Sequence, residues 1–289
     1  MKLLRHWLFL SLLASSAPLQ AVVIVVHGSF AHKNTWWQPG GQFHDMLAVQ
    51  ALAKGHTVLP FRWKSGWHGG WMGQSIKKAG KQLAKVMKPY LFKEQVILIG
   101  HSNGANVLLD ACKRLKKAGI KQVGASYPVT RMYALAPTIS KADISAIMDV
   151  VGSVVNCFSL DDEALDKLEP LGVYQRVYDG HERVYNYLVR ASDNDGTIVT
   201  FKHCAMYDVR VARWLLELGP NEPHQIQSIV PAHLASVLLF ATQVPVYGQL
   251  SDAELARMNK LRIMSQSTAL LSKGMLVPRA LHSLFKAVL

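Results

Sequence analysis

Three cysteines in 289 residues are too few for a disulfide framework, and Cys112, Cys157 and Cys204 stand too far apart to form a metal motif. They read as small buried hydrophobes, with one bridge open to an oxidising compartment. Twenty glycines and 12 prolines exclude a collagen-like chain. No apolar run reaches the ~20 residues that a membrane-spanning helix needs. There is no P-loop, no G-x-G-x-x-G and no HExxH, so nothing in the pattern asks for a nucleotide, a cofactor or a metal. Acid is also scarce where base is plentiful. Residues 1–142 carry 19 Lys/Arg and three acids (Asp45, Glu94 and Asp110), a net of +16, whereas residues 143–289 net −3.

Half of the chain is hydrophobic, which excludes a disordered polyelectrolyte despite the net charge of +13. The length suits one α/β-sized domain, alone or with an appendage. The basic half is either a docking surface for a polyanion or a set of solvated helix faces. No nucleic-acid-binding motif accompanies the charge, so nucleic acid is not an expected partner. An anionic membrane surface stays open as a partner.

The N-terminus has the layout of a secretory signal peptide. Lys2 and Arg5 form a positive region, Trp7 to Ala14 a short apolar one, and Ser15, Ser16, Ala17 and Ala21 supply small residues. Residues 1–21 are therefore expected to direct export, to the periplasm or the medium. Cleavage after Ala17 and after Ala21 both fit, and an uncleaved anchor is the alternative.

From there strands and helices alternate. Ala21–Val26 is apolar at every position, as in a strand buried on both faces. A helix is expected over 41–54, with Phe43, Leu47, Ala51 and Leu52 on its apolar face. A strand follows over 56–63. The clearest helix covers 74–91, with Ile76, Ala79, Leu83, Val86 and Tyr90 as one stripe and Lys77, Lys81, Lys85 and Lys88 as another. Further strands are expected at 95–100, 131–136, 153–159 and 183–191, and helices at 103–119, 140–151 and 207–218. Alternation of this kind predicts an α/β fold, a mostly parallel sheet with helices on both faces. The domain is read as 22–220. Residues 221–289 follow Pro220, carry Pro223 and Pro231 near their start, and read as a helical C-terminal extension.

Gly100-His101-Ser102-Asn103-Gly104 is a G-x-S-x-G placed directly between a strand and a helix. Composition alone yields that pattern in roughly one such chain in ten. Its position is more specific, because a tight strand-to-helix turn lifts the serine hydroxyl to the carboxyl end of the sheet, beside a helix N-terminus. The strand–GHSNG–helix unit resembles the nucleophile elbow of the α/β-hydrolase superfamily, in its lipase/esterase-like branch. His27-Gly28, at the end of the first strand, resembles that superfamily's oxyanion loop. The resemblance covers about 22–218. It implies a serine hydrolase with its triad in chain order Ser, Asp, His. Ser102 would be the nucleophile, and the backbone N–H groups of Ser29 and Asn103 would form the oxyanion hole.

The acid would follow a later strand. Asp162 stands where the superfamily usually carries it, after the second strand beyond the elbow strand. Asp161 and Asp195 stay open as alternatives. The base would be His203, after the sixth strand, with His233 as the natural partner of Asp195, and His181, His224 and His282 as loop residues. His27 and His101 would support the loops they sit in. Five of the seven tryptophans lie within 36–71. Trp36 and Trp63 are expected in the core. Trp67 and Trp71, in a Gly-rich loop, are expected to bind substrate. The function so read is an exported serine hydrolase of carboxylic esters, lipid esters among them. An acyltransferase or amidase on the same triad is one alternative. A non-catalytic hydrolase-fold protein that binds a membrane or a partner is another.

Overall fold

The computed structural model describes residues 20–65, 72–139, 141–168, 176–178, 181–192, 198–216, 226–230 and 246–248. Residues 1–19 of the expected signal peptide lie outside them, as do Trp67, Trp71, Asp195, His224, His233, His282 and most of 221–289.

The chain alternates strand and helix as far as residue 192. The strands are β1 (Ala21–Val26), β2 (Thr57–Phe61), β3 (Gln95–His101), β4 (Val129–Leu135), β5 (Val151–Phe158) and β6 (Val184–Ser192). Between and after them lie helices α1 (Gln42–Ala53), α2 (Met72–Met87), α3 (Asn103–Lys117), α4 (Lys141–Ser145), α5 (Glu163–Leu168) and α6 (Val209–Leu215). The sheet order is β2-β1-β3-β4-β5-β6, every pair parallel. Helices cover both faces, and β1 shows why. Val22, Ile24 and Val26 point into one core with Leu83 and Met87 of α2 and Leu108 and Cys112 of α3. Ala21, Val23 and Val25 point into the other, with Phe43 and Leu47 of α1 and Val211 and Leu215 of α6. A strand buried on both sides must be apolar throughout, and each such Val or Ile contributes roughly 1.5–3 kcal/mol.

Three expectations need correction. The helix read over 140–151 is only Lys141–Ser145, because Val150 and Val151 are drawn into the sheet and β5 begins at Val151. In the segment read as a helical extension, the described residues are two strands. Here β8 (Ile226–Val230) adds parallel to β6, and β9 (Val246–Gly248) pairs antiparallel with β8. Residues 226–230 and 246–248 thus belong to the sheet, and the rest of 221–289 lies outside the described residues. The short β7 (Ile198–Thr200) folds back antiparallel on β6. Finally, all three thiols are free and Cys204 is exposed, whereas Cys112 and Cys157 are buried as expected.

The chain leaves β1 toward β2 on one side, and β3 lies on the other side of β1. At such a reversal the loops after β1 and β3 diverge and leave a crevice at the carboxyl ends of the strands. The loop after β1 begins at His27, and the turn after β3 is Ser102.

Candidate active site

Ser102 adopts φ 52°, ψ −126°, a conformation costly for any residue with a Cβ. Three close approaches hold it there. Its N–H donates to the Leu135 carbonyl at 2.9 Å. At Gly104 a Cβ would stand 2.5 Å from the Val26 carbonyl oxygen, so α3 rests directly on the end of β1. At Gly28 a Cβ would stand 3.1 Å from the Ser102 Cβ, so the loop after β1 passes beside the hydroxyl. A strand, a strained serine turn and a helix in immediate succession, on a parallel sheet of this strand order, decide the architecture. The fold is that of the α/β-hydrolases.

His203 begins a short 3-10 turn at His203–Tyr207, and its ring lies between Ser102 and Asp162. Its Nε2 is 2.9 Å from Ser102 Oγ, and its Nδ1 is 2.9 Å from Asp162 Oδ2 and 3.0 Å from Oδ1. A carboxylate only accepts, so Nδ1 carries the proton and Nε2 faces the serine hydroxyl as acceptor. Asp162 is fully buried. Its Oδ1 also accepts from the N–H groups of Ala164 and Leu165, which caps α5 and fixes the carboxylate. The structure thus brings Ser102, His203 and Asp162 together. Asp161 is exposed, its N–H on Ser159 Oγ. His181 accepts from the Arg183 N–H, away from this cluster.

Two more imidazoles are buried at the site, each with one carbonyl to serve. His27 Nδ1 donates to the Gly28 carbonyl at 2.8 Å, and its Nε2 accepts from the Trp63 N–H. Trp63 and Trp37 enclose its ring. Burial pushes its pKa down to about 4. His101 Nε2 donates to the His203 carbonyl at 2.9 Å, and its ring meets Trp36 and Tyr207 edge-on. Burial, together with the neighbouring His203, lowers its pKa to about 3. Both rings are therefore neutral near pH 7 and act through shape and hydrogen bonds. Trp36 and Trp63 are buried, as the sequence predicts.

Ser29 and Asn103 come together through their side chains. Asn103 Nδ2 donates to Ser29 Oγ at 2.9 Å, and Asn103 Oδ1 accepts from Asn106 and Thr138. Asn103 thus ties the loop after β1 to the loop after β4. As the first residue of α3, it also puts its backbone N–H at the helix end that favours negative charge.

Sequence reasoning misses three supporting residues. Glu163 Oε2 accepts from the His203 N–H at 3.1 Å. Arg176, only 2% exposed, donates to the carbonyls of Ser159, Leu160 and Asp162 and pairs with Asp166. Asn156 binds the Arg176 carbonyl and Asn186. Glu163 adjoins Asp162, which is the one signal available; Arg176 and Asn156 carry none.

No protein-family model and no curated protein matches the chain. Among solved structures it is similar to polyneuridine aldehyde esterase, at 16% identity over 43% of each chain with a TM-score of 0.28. It is similar to a metagenomic carboxyl esterase, at 13% identity over 75% of this chain and 50% of that one, TM-score 0.32. It is also similar to tomato methylketone synthase I bound to 2-tridecanone, at 14% identity over 86% of this chain and 99% of that one, TM-score 0.31. The matches to the first two span half or less of those proteins' length.

Proposed function

We propose that the chain is a serine hydrolase that cleaves carboxylic esters, lipid esters among them, through an acyl-enzyme. The observation that carries this reading is the unbroken hydrogen-bonded line from Ser102 Oγ through His203 to buried Asp162, with the serine on a strained elbow. Ser102 Oγ attacks the ester carbonyl carbon while His203 Nε2 takes its proton. Asp162 holds the ring in the required tautomer and stabilises the imidazolium. The backbone N–H groups of Ser29 and Asn103 receive the oxyanion, each such donor being worth about 3–4 kcal/mol. As the tetrahedral carbon collapses, the bond to the alcohol oxygen breaks and His203 returns the proton to it. Water then repeats the sequence against the acyl-enzyme, with His203 as base, and releases the acid. Export through residues 1–21 belongs to the same proposal; the mass of the mature chain recovered from the periplasm or the medium checks it.

The test is Ser102→Ala, assayed with a series of p-nitrophenyl esters and a fluorophosphonate probe. Turnover should fall by roughly 10⁴–10⁶-fold with the fold retained. Probe labelling that persists in Ser102→Ala would overturn the assignment.

A further inference from the structure

A cavity of about 780 Å³ adjoins the loop after β1 and is not lined by any triad residue. His32, Arg62, Lys64 and Lys78 line it, with Ser75 and Gln82 as uncharged hydrogen-bonding groups. Ser75 and Lys78 lie in the first two turns of α2, the helix end with partial positive charge. Among the described residues, Arg62, Lys64 and Lys78 make no ion pair. The three acids within residues 1–142 are engaged or distant: Asp45 contacts His44, Asp110 pairs with Arg114, and Glu94 lies beyond α2. Among the described residues the lining holds three cations, a histidine and hydroxyl and amide groups but no carboxylate, which is complementary to a compact anion.

The cavity and the candidate active site share one wall. The segment 62–65 carries Arg62 and Lys64, and it is fastened to the loop after β1 at several points. Phe30 N–H donates to the Ser65 carbonyl at 2.9 Å, and His32 Nδ1 lies 3.1 Å from Ser65 Oγ. Trp63 donates to His27 from both its backbone and its indole. The same loop places Gly28 against Ser102.

We infer that this cavity binds a phosphate group, and that the ester substrates of the Ser102 site carry that group. The second half of the inference rests on the ester-hydrolase reading; the first does not. The guanidinium of Arg62 offers a two-pronged contact, and Lys64 and Lys78 add point charges around it.

The experiment has a binding arm and a turnover arm. Inorganic phosphate is titrated calorimetrically into the wild-type chain and into Arg62→Gln/Lys78→Gln. In parallel, kcat/KM is measured for a short-chain monoacylglycerol phosphate and for the monoacylglycerol lacking the phosphate. Lys117→Gln, at the far end of α3, matches one charge change away from the cavity. The expected result is saturable phosphate binding that the double variant loses. The wild type should prefer the phosphate ester, and the double variant should reduce that preference by at least roughly tenfold, the value of one charge-assisted contact. Lys117→Gln and added neutral solute should leave the preference unchanged, and salt should weaken it. Absent phosphate binding, or binding equal in the double variant, with both proteins melting cooperatively, overturns the site. Binding without a substrate preference restricts the site to free phosphate and overturns the substrate half. Turnover of neither ester overturns the hydrolase reading instead, and the calorimetry still decides the cavity.

Discussion

On the β1–β3 side of the sheet, Ser102 is placed largely by close backbone approaches. On the β5–β6 side, Asp162 and His203 are placed by buried polar bonds. Around Ser102 the close approaches are made at glycines, with Gly104 against the carbonyls of Val26 and His27 and Gly28 against His101 and the Ser102 Cβ. Around Asp162 they are side chains. Arg176 gathers three carbonyls, Asn156 and Asn186 bind each other and the backbone at Arg176 and Tyr178, and Glu163 and His101 take hold of His203. The first kind of placement tolerates no added atom. The second tolerates none lost, because an orphaned buried polar group costs more than its bond contributes.

The contrast can be broken from either side. Gly104→Ala has the largest expected effect, since backbone rather than a flexible side chain blocks the new methyl. It should cost at least about 3 kcal/mol, the upper end for overpacking, and show as a lower melting temperature or lost soluble yield. Arg176→Met keeps the bulk but strands the carbonyls of Ser159, Leu160 and Asp162. A loss of roughly 1–3 kcal/mol is expected in the urea midpoint, together with slower esterase turnover as Asp162 loses its support. A variant as stable and as active as wild type would show that the polar side is not held as described.

Acid gives the most graded effect. His27 and His101 have folded pKa values of about 4 and about 3, below the unfolded value of 6.5. The unfolded chain therefore binds protons first. The stability that these neutral rings contribute is complete above pH 6.5 and drains away as pH falls toward 4 and then 3. Melting temperature against pH should fall across that window. His101→Gln, which keeps an amide donor for the His203 carbonyl, should flatten part of the slope.

The same contrast governs what the sequence made legible. β1 and β3 read directly as buried parallel strands, because continuous apolar runs have few other uses, and the glycines around Ser102 mark a tight turn. The helix faces read less well. Leu52 of α1 is 76% exposed and Val86 of α2 40% exposed, although both fit the apolar spacing. The buried stripe of α2 runs instead through Ala79, Leu83 and Met87. Counting elements favoured Asp162 over Asp195, but it could not separate Asp162 from Asp161; the capping of α5 shows which of those two faces inward. Arg176 was illegible, since a surface arginine and one buried under three carbonyls are spelled identically. Strands β7 and β9 were missed because each is only 3 residues long, and β8 because its partner β6 lies far back in the chain, with Asn186 opposite Ile226.

His203 is held at three points by three different residues: Asp162 on the ring, Glu163 on the amide and His101 on the carbonyl. Two of those residues are consecutive, and the third belongs to the elbow itself. The imidazole is therefore a joint between two loops rather than the tip of one. Phe201 and Met206 on either side of it are buried too, so the segment that carries the ring is pinned by its own apolar side chains as well as by these bonds. A change at Glu163 or His101 would reach the ring without touching it.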